Sequence, residues 1–163
     1  MRKIVFIILC ACFSKAGFAQ TDTSKLYLRF PFVPPFRIIT VPDSTVFTKD
    51  DLKKKKPTII FIFSPDCEHC QHATKELTAN TALFKKAQIV MSSPVEFSYL
   101  KKFYEEYKIA DHANIIMGRD PTYYFGTFYH VRGFPRIFVY DKKGDFIKGF
   151  EGSVPMETIA DVL

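Results

Sequence analysis

Between Pro57 and Ser64 lies Thr58-Ile59-Ile60-Phe61-Ile62-Phe63, a run that is apolar at every position after the first. A run without polar alternation predicts a strand buried on both faces of a sheet. Such a strand needs a layer of structure above it and another below. Ser64-Pro65-Asp66 follows at once and predicts a helix start, because Ser or Asp caps orphan amides and Pro suits the first turn. The helix is predicted from about Cys67 toward Phe84, with Cys70, Leu77 and Phe84 on one stripe and Lys85 and Lys86 near its end.

The alternation of strand and helix continues. Gln88 to Ser92 reads as a strand, and Ser93-Pro94-Val95-Glu96 as a capping box that opens a helix carrying Phe97, Leu100, Tyr104 and Tyr107 at helical spacing. Asn114 to Met117 is a short apolar strand, and Tyr123 to Val131 a short aromatic helix. Arg136 to Tyr140 and Asp145 to Phe150 form two strands joined by Asp141-Lys142-Lys143-Gly144, and Met156 to Leu163 begins a last helix. Upstream, Arg37 to Val41 and Thr45 to Phe47 flank the turn Pro42-Asp43-Ser44, a small hairpin. Asp50 to Lys55 is a helical turn ended by Pro57. The expected fold class is α/β, a central mixed sheet with helices on both faces and an N-terminal β-hairpin extension.

The first residues read as a targeting signal. Arg2 and Lys3 precede the apolar run Ile4 to Phe13, and Gly17 and Ala19 suit cleavage before Gln20. The apolar run is shorter than the roughly 20 residues that span a bilayer. A competing reading is lipidation, since Leu9-Cys10-Ala11-Cys12 resembles a lipobox with Cys12 as the modified residue. The expected organisation is therefore a signal over 1–19, an N-terminal extension over 20–35 and one domain over 36–163. Cleavage removes three cations and no acid, lowering the formal net charge from +6 to +3. So mild a balance, with no recognised binding motif, argues against nucleic acid as a partner, and Lys53 to Lys56 reads as a solvated helix end.

The mature chain would keep two of the four cysteines, Cys67 and Cys70. A bridge between them closes a tiny loop and constrains little of the unfolded chain, so chemistry explains the pair better than stapling. Residues three apart on a helix share a face, so the sulfurs can bridge. Cys67 in the first turn feels the positive end of the helix, which favours a thiolate, and Cys70 lies one turn deeper. Cys67 is then the nucleophile and Cys70 the resolving thiol. Glu68 and His69 between them tune the couple in opposite senses, the acid disfavouring thiolate and the imidazole favouring it.

Other chemistries fit less well. A structural zinc site needs a second ligand pair. Haem attachment needs His directly after the second cysteine, where this chain has Gln71. An inert disulfide remains an alternative. So does soft-metal binding by Cys67 and Cys70 with His69 or His72, as in a copper chaperone. His112 and His130 read as loop or packing residues. Ser64-Pro65-Asp66-Cys67 also resembles part of a thiol-peroxidase loop, although Ile60 stands where that loop has proline.

From Pro35 to Leu163 the chain resembles the extracytoplasmic thioredoxin-like proteins of the TlpA/ResA type. The matching residues are Pro35-Phe36, the strand Thr58 to Phe63, Cys67-Glu68-His69-Cys70, Tyr129-His130-Val131-Arg132-Gly133-Phe134-Pro135, the strand and turn Ile137 to Gly144, and Gly152. The resemblance implies a cis peptide bond before Pro135, facing the cysteines, with Phe134 offering its amide and carbonyl to an extended substrate segment. It also implies an inserted strand and helix between Cys70 and Pro135. Asp66 stands where the family has an aromatic, and Phe61 where thioredoxin has a buried acid, a proton-transfer role left open to Glu68, Glu96 or water. Phe134, Tyr129, Arg132 and Arg136 would make an aromatic surface with a basic edge, suited to an acidic partner segment.

The activity implied is disulfide exchange with exported proteins in the periplasm, as a reductase fed by a membrane electron donor. A disulfide-installing oxidase, a thiol peroxidase and a copper chaperone are the alternatives. The reading calls for no cofactor and no resident metal, and expects a monomer.

Overall fold

The computed structural model describes residues 25–163. The expected targeting signal, the expected cleavage before Gln20 and Cys12 lie outside the described residues. Among the described residues, no helix is long and apolar enough to cross a membrane.

Seven strands form one mixed sheet: β1 (Arg37–Thr40), β2 (Val46–Thr48), β3 (Thr58–Ile62), β4 (Gln88–Ser93), β5 (Ile115–Arg119), β6 (Arg136–Tyr140) and β7 (Phe146–Glu151). Their order across the sheet is β2-β1-β5-β4-β3-β6-β7. β3 runs parallel to β4 and antiparallel to β6, with Phe61 opposite Met91 on one side and Ile137 on the other. Every residue of β3 is buried, as its unbroken apolar run requires.

Alternating side chains divide the core. Ile59, Phe61 and Phe63 face one layer, and Ile60 and Ile62 face the other. The first layer is covered by α2 (Glu68–Ala79), α3 (Phe97–Glu106) and α5 (Met156–Ala160), through Cys70, Leu77, Leu100, Phe103 and Ile159. The second is covered by α4 (Tyr124–Phe128) and by the N-terminal segment, whose short helix α1 (Leu26–Arg29) packs Tyr27 against Phe138 and Phe146. Helices on both faces of a mixed sheet, with an N-terminal hairpin of β1 and β2, are what the sequence predicts. Each fully buried large apolar side chain contributes roughly 1.5–3 kcal/mol.

Two differences from expectation bear on the site. The cysteine helix ends at Ala79 rather than running to Phe84. The Asn80 side-chain amide donates to the Glu76 carbonyl, and the chain continues as a separate 3-10 turn, Thr81–Phe84, that still buries Phe84 in the core of Cys70. There is no capping box at Ser93. That residue continues β4, paired with Arg119, and its carbonyl accepts from Asp120. The next helix begins after Glu96, whose side chain makes no cap bond. Ladder pairing outcompetes the local cap because it satisfies the same backbone groups inside the sheet.

Candidate active site

β3 delivers the chain to the carboxyl edge of the sheet, where Ser64-Pro65-Asp66 turns it into α2. Phe63 still donates to the Ser92 carbonyl, and Cys67 donates back to the Ser64 carbonyl at 3.2 Å. Ser64 Oγ donates to the Asp66 carboxylate, and Gln71 Nε2 donates to the Pro65 carbonyl at 2.8 Å. The turn is thus tied down from both ends. The Ser64 hydroxyl that a peroxidase reading wants beside Cys67 is engaged by Asp66 instead.

Cys67 is the N-cap of α2 rather than its first-turn residue, and its Sγ accepts from the Cys70 amide at 3.3 Å. An acceptor at that position takes up an orphan helix donor, and negative charge there is favoured by the helix end. Both thiols are free; Cys67 is partly exposed and Cys70 has no exposed surface. Burial pushes the Cys70 thiol well up, and the neighbouring Cys67 and the Asp66 charge push the same way, while the Ser64 amide opposes them. The Ser64 hydroxyl beside the Asp66 carboxyl holds that acid below the usual range.

The loop before β6 closes the site. The Phe134-Pro135 peptide is cis, as the resemblance implies. Phe134 presents its carbonyl 3.7 Å from Cys67 Sγ, and its half-buried ring packs against both core layers.

Other anticipated residues stand elsewhere. Tyr129 is not on the reactive surface: it is fully buried, with its hydroxyl 2.6 Å from that of Tyr140. Arg136 is largely buried and pairs with Glu151 at 2.5 Å, so the basic edge is reduced to exposed Arg132, which donates to His130 at 2.9 Å. Tyr129 is the C-cap of α4 and packs its ring into the core, while Arg136 opens β6 beside Glu151, placements that a surface reading of the motif overlooks. Glu68 and His69 are exposed. Glu96 pairs with Arg119 at 2.6 Å, and Phe61 is buried in the same core layer as Cys70. His72 lies 3.8 Å from Glu76 on the outer face of α2. Among the described residues, no group of three or more His, Cys, Asp or Glu is placed to hold a metal.

Sequence reasoning missed a groove at the turn before α2. It has a volume of about 290 Å³ and is lined by Pro65, Asp66, Val95, Glu96 and Tyr99. The only signal for it was an apolar and acidic cluster after Pro94, which reads equally well as an ordinary helix start.

The thioredoxin-like domain family matches residues 48–163. No curated protein matches the sequence. Among solved structures, a secreted Mycobacterium tuberculosis disulfide oxidoreductase homologous to E. coli DsbE is 16% identical with a TM-score of 0.65, over 77% of this chain and 92% of that one. The exposed lipoprotein thioredoxin of Streptococcus pneumoniae is 19% identical with a TM-score of 0.60, over 80% of this chain and 100% of that one. A peroxiredoxin-like protein from Aquifex aeolicus is 18% identical with a TM-score of 0.63, over 80% and 82%. At such identities the shared property is the fold, which serves more than one thiol chemistry.

Proposed function

The chain belongs to the thioredoxin-like family, and from that premise we propose that it is a thiol-disulfide oxidoreductase that reduces disulfides of exported proteins through Cys67 and Cys70. The observation that carries the reading is the asymmetry of the pair. Cys67 is partly exposed at a helix N-cap, whereas Cys70 is wholly buried behind it with a raised thiol.

The chemistry follows from that asymmetry. Cys67, as thiolate, attacks one sulfur of a substrate disulfide and expels the other as a thiolate, forming a mixed disulfide. An extended substrate segment pairs with the backbone of Phe134, which places its sulfur in line with Cys67. Cys70 then loses its proton and attacks Cys67 Sγ. That breaks the mixed disulfide, releases the second substrate thiolate and leaves Cys67 and Cys70 oxidised. Two electrons pass from the pair to the substrate, and a membrane electron donor restores the dithiol. Glu68 and His69 adjust the potential of the couple from the exposed face of the helix. No cofactor is needed.

The reading places the protein outside the cytoplasm, with residues 1–19 removed as a signal or, in the alternative, with Cys12 lipidated. The mass of the exported protein separates the two, since cleavage before Gln20 leaves no Cys12 to modify. The decisive assay is reduction of insulin by wild type and Cys67→Ser, where equal rates would remove the exchanger reading. Titration against glutathione sets the direction: a potential near about −270 mV marks a reductant, and one near about −120 mV an oxidant.

A further inference from the structure

At the end of the sheet opposite the cysteines, two loops bring their lysines together. Lys53, Lys54, Lys55 and Lys56 precede β3, and Lys142 and Lys143 form the turn between β6 and β7. With Lys49 they line one open groove of about 320 Å³, floored by Val33, Leu52 and Thr58. No acidic residue lines it. Among the described residues, none of these ammonium groups lies within 4.0 Å of a carboxylate. Of the nearby acids in sequence, Asp50, Asp51, Asp141 and Asp145, none lines the groove, and two are engaged locally. Asp51 accepts from the Thr48 amide and hydroxyl, and Asp141 from the amides of Lys143 and Asp145.

The groove is held rather than floppy. Gln88, 3% exposed, accepts from the Lys53 amide at 2.8 Å and donates to the Lys53 carbonyl at 3.1 Å and to Thr58 Oγ1 at 3.0 Å. The lysine loop is thereby fastened to the starts of β3 and β4. So many like charges on two adjoining loops repel one another, which an anion would relieve.

The N-terminal segment passes this groove at Phe32 and Val33. The Val33 amide donates to the Gly144 carbonyl, and Phe32 bridges to Asp145. Phe32, next to Val33 of the groove floor, is 56% exposed. Lysines beside an exposed aromatic ring match a membrane interface in charge and in polarity.

We propose that the lysine groove is a docking face for the anionic headgroups of a phospholipid bilayer. Phe32 enters the headgroup region beside it, and Cys67 is held at the far end of β3, facing away from the membrane. Five strand residues separate the two ends, roughly 17 Å. This inference rests on the export reading but not on thiol exchange, so the two fail separately.

The test uses the exported chain, residues 20–163, with vesicles of phosphatidylcholine alone or doped with phosphatidylglycerol, read by sedimentation as the ratio of anionic to neutral binding. Replacing Lys53, Lys54, Lys55, Lys142 and Lys143 by Gln lowers the ratio by more than about tenfold, given the attraction of each lysine to an anionic leaflet. Replacing exposed Lys101 and Lys102 on α3 leaves it within about twofold, and raising the salt abolishes the wild-type preference. Equal loss in both variants, or no anionic preference in wild type, overturns the proposal. So does competition by inorganic phosphate at equal charge, which would mark a free-anion site.

Discussion

Cys67 Sγ lies 3.7 Å from the carbonyl oxygen of Phe134, although 67 residues separate them. The contact joins the start of α2 to the loop before β6, and those elements are neighbours only because β3 and β6 pair along their whole length. Cys67 and the backbone of Phe134 are therefore placed by the same sheet, and Cys70 lies inside that sheet's core layer.

The division of labour between the cysteines predicts opposite phenotypes. Cys70→Ser leaves attack intact and removes resolution, so mixed disulfides with exported proteins accumulate and survive non-reducing electrophoresis. Cys67→Ser forms none and lowers insulin reduction by at least about a hundredfold, as expected for loss of the attacking group. Mixed disulfides of comparable yield in the two variants would reverse the assignment.

The groove at Pro65 and Asp66, in the turn before Cys67, predicts a substrate-size effect. Tyr99 is 65% exposed and stands on its rim. Tyr99→Ala should change stability by no more than about 0.5 kcal/mol, as for exposed positions generally. It should raise KM for a protein disulfide several-fold while reaction with a small aromatic disulfide is unchanged. Equal loss on both substrates would place Tyr99 in the scaffold rather than in recognition.

The raised Cys70 thiol predicts a pH dependence of stability. The folded thiol stays protonated where an unfolded one, near pH 8.5, ionises. The folded state then holds the extra proton, so this contribution is complete below about pH 8.5 and is lost as pH rises toward the folded value. In a Cys67→Ser background, stability should fall by about 1.4 kcal/mol for each pH unit above about 8.5, relative to Cys67→Ser/Cys70→Ser. Urea unfolding at a series of pH values reads the difference, and parallel profiles would mean that Cys70 is solvated in the folded chain.

The central strand, the turn and the cysteine helix were legible because each rests on a local signal: an unbroken apolar run, a capping turn, a two-residue spacing. The outer strands and the mixed sheet followed from the order of elements. The end of α2 and the start of α3 did not. Asn80 and Ser93 each have a local preference, and a hydrogen bond from the Asn80 side chain and ladder pairing with Arg119 decided the outcome. The two grooves were hidden for a related reason. Lys53 to Lys56 looks like a solvated run until the β6–β7 turn brings Lys142 and Lys143 beside it, and that proximity exists only in the folded sheet. Tyr129 was misplaced because a motif gives sequence neighbours and not the face to which each side chain points.

The buried Tyr129 and Tyr140 hydroxyls, 2.6 Å apart, make the layer of aromatic rings opposite the cysteines depend on one polar contact. Burial pushes the Tyr129 phenol well up, so the pair stays neutral and is held by hydrogen bonding rather than charge. Removing one hydroxyl strands the other in an apolar layer where water does not reach. Tyr129→Phe should therefore lose about 1–3 kcal/mol, the cost of an unsatisfied buried polar group. Tyr129→Phe/Tyr140→Phe should recover part of that loss, because two apolar edges need no partner. A double-mutant cycle by urea unfolding measures the coupling, expected between about 0.5 and 3 kcal/mol for residues in contact. Additive losses would mean that each hydroxyl has another partner. Since Tyr129 lies in the turn that leads to Phe134, the same variants should leave the potential of the cysteine couple unchanged if the hydroxyl pair serves packing alone.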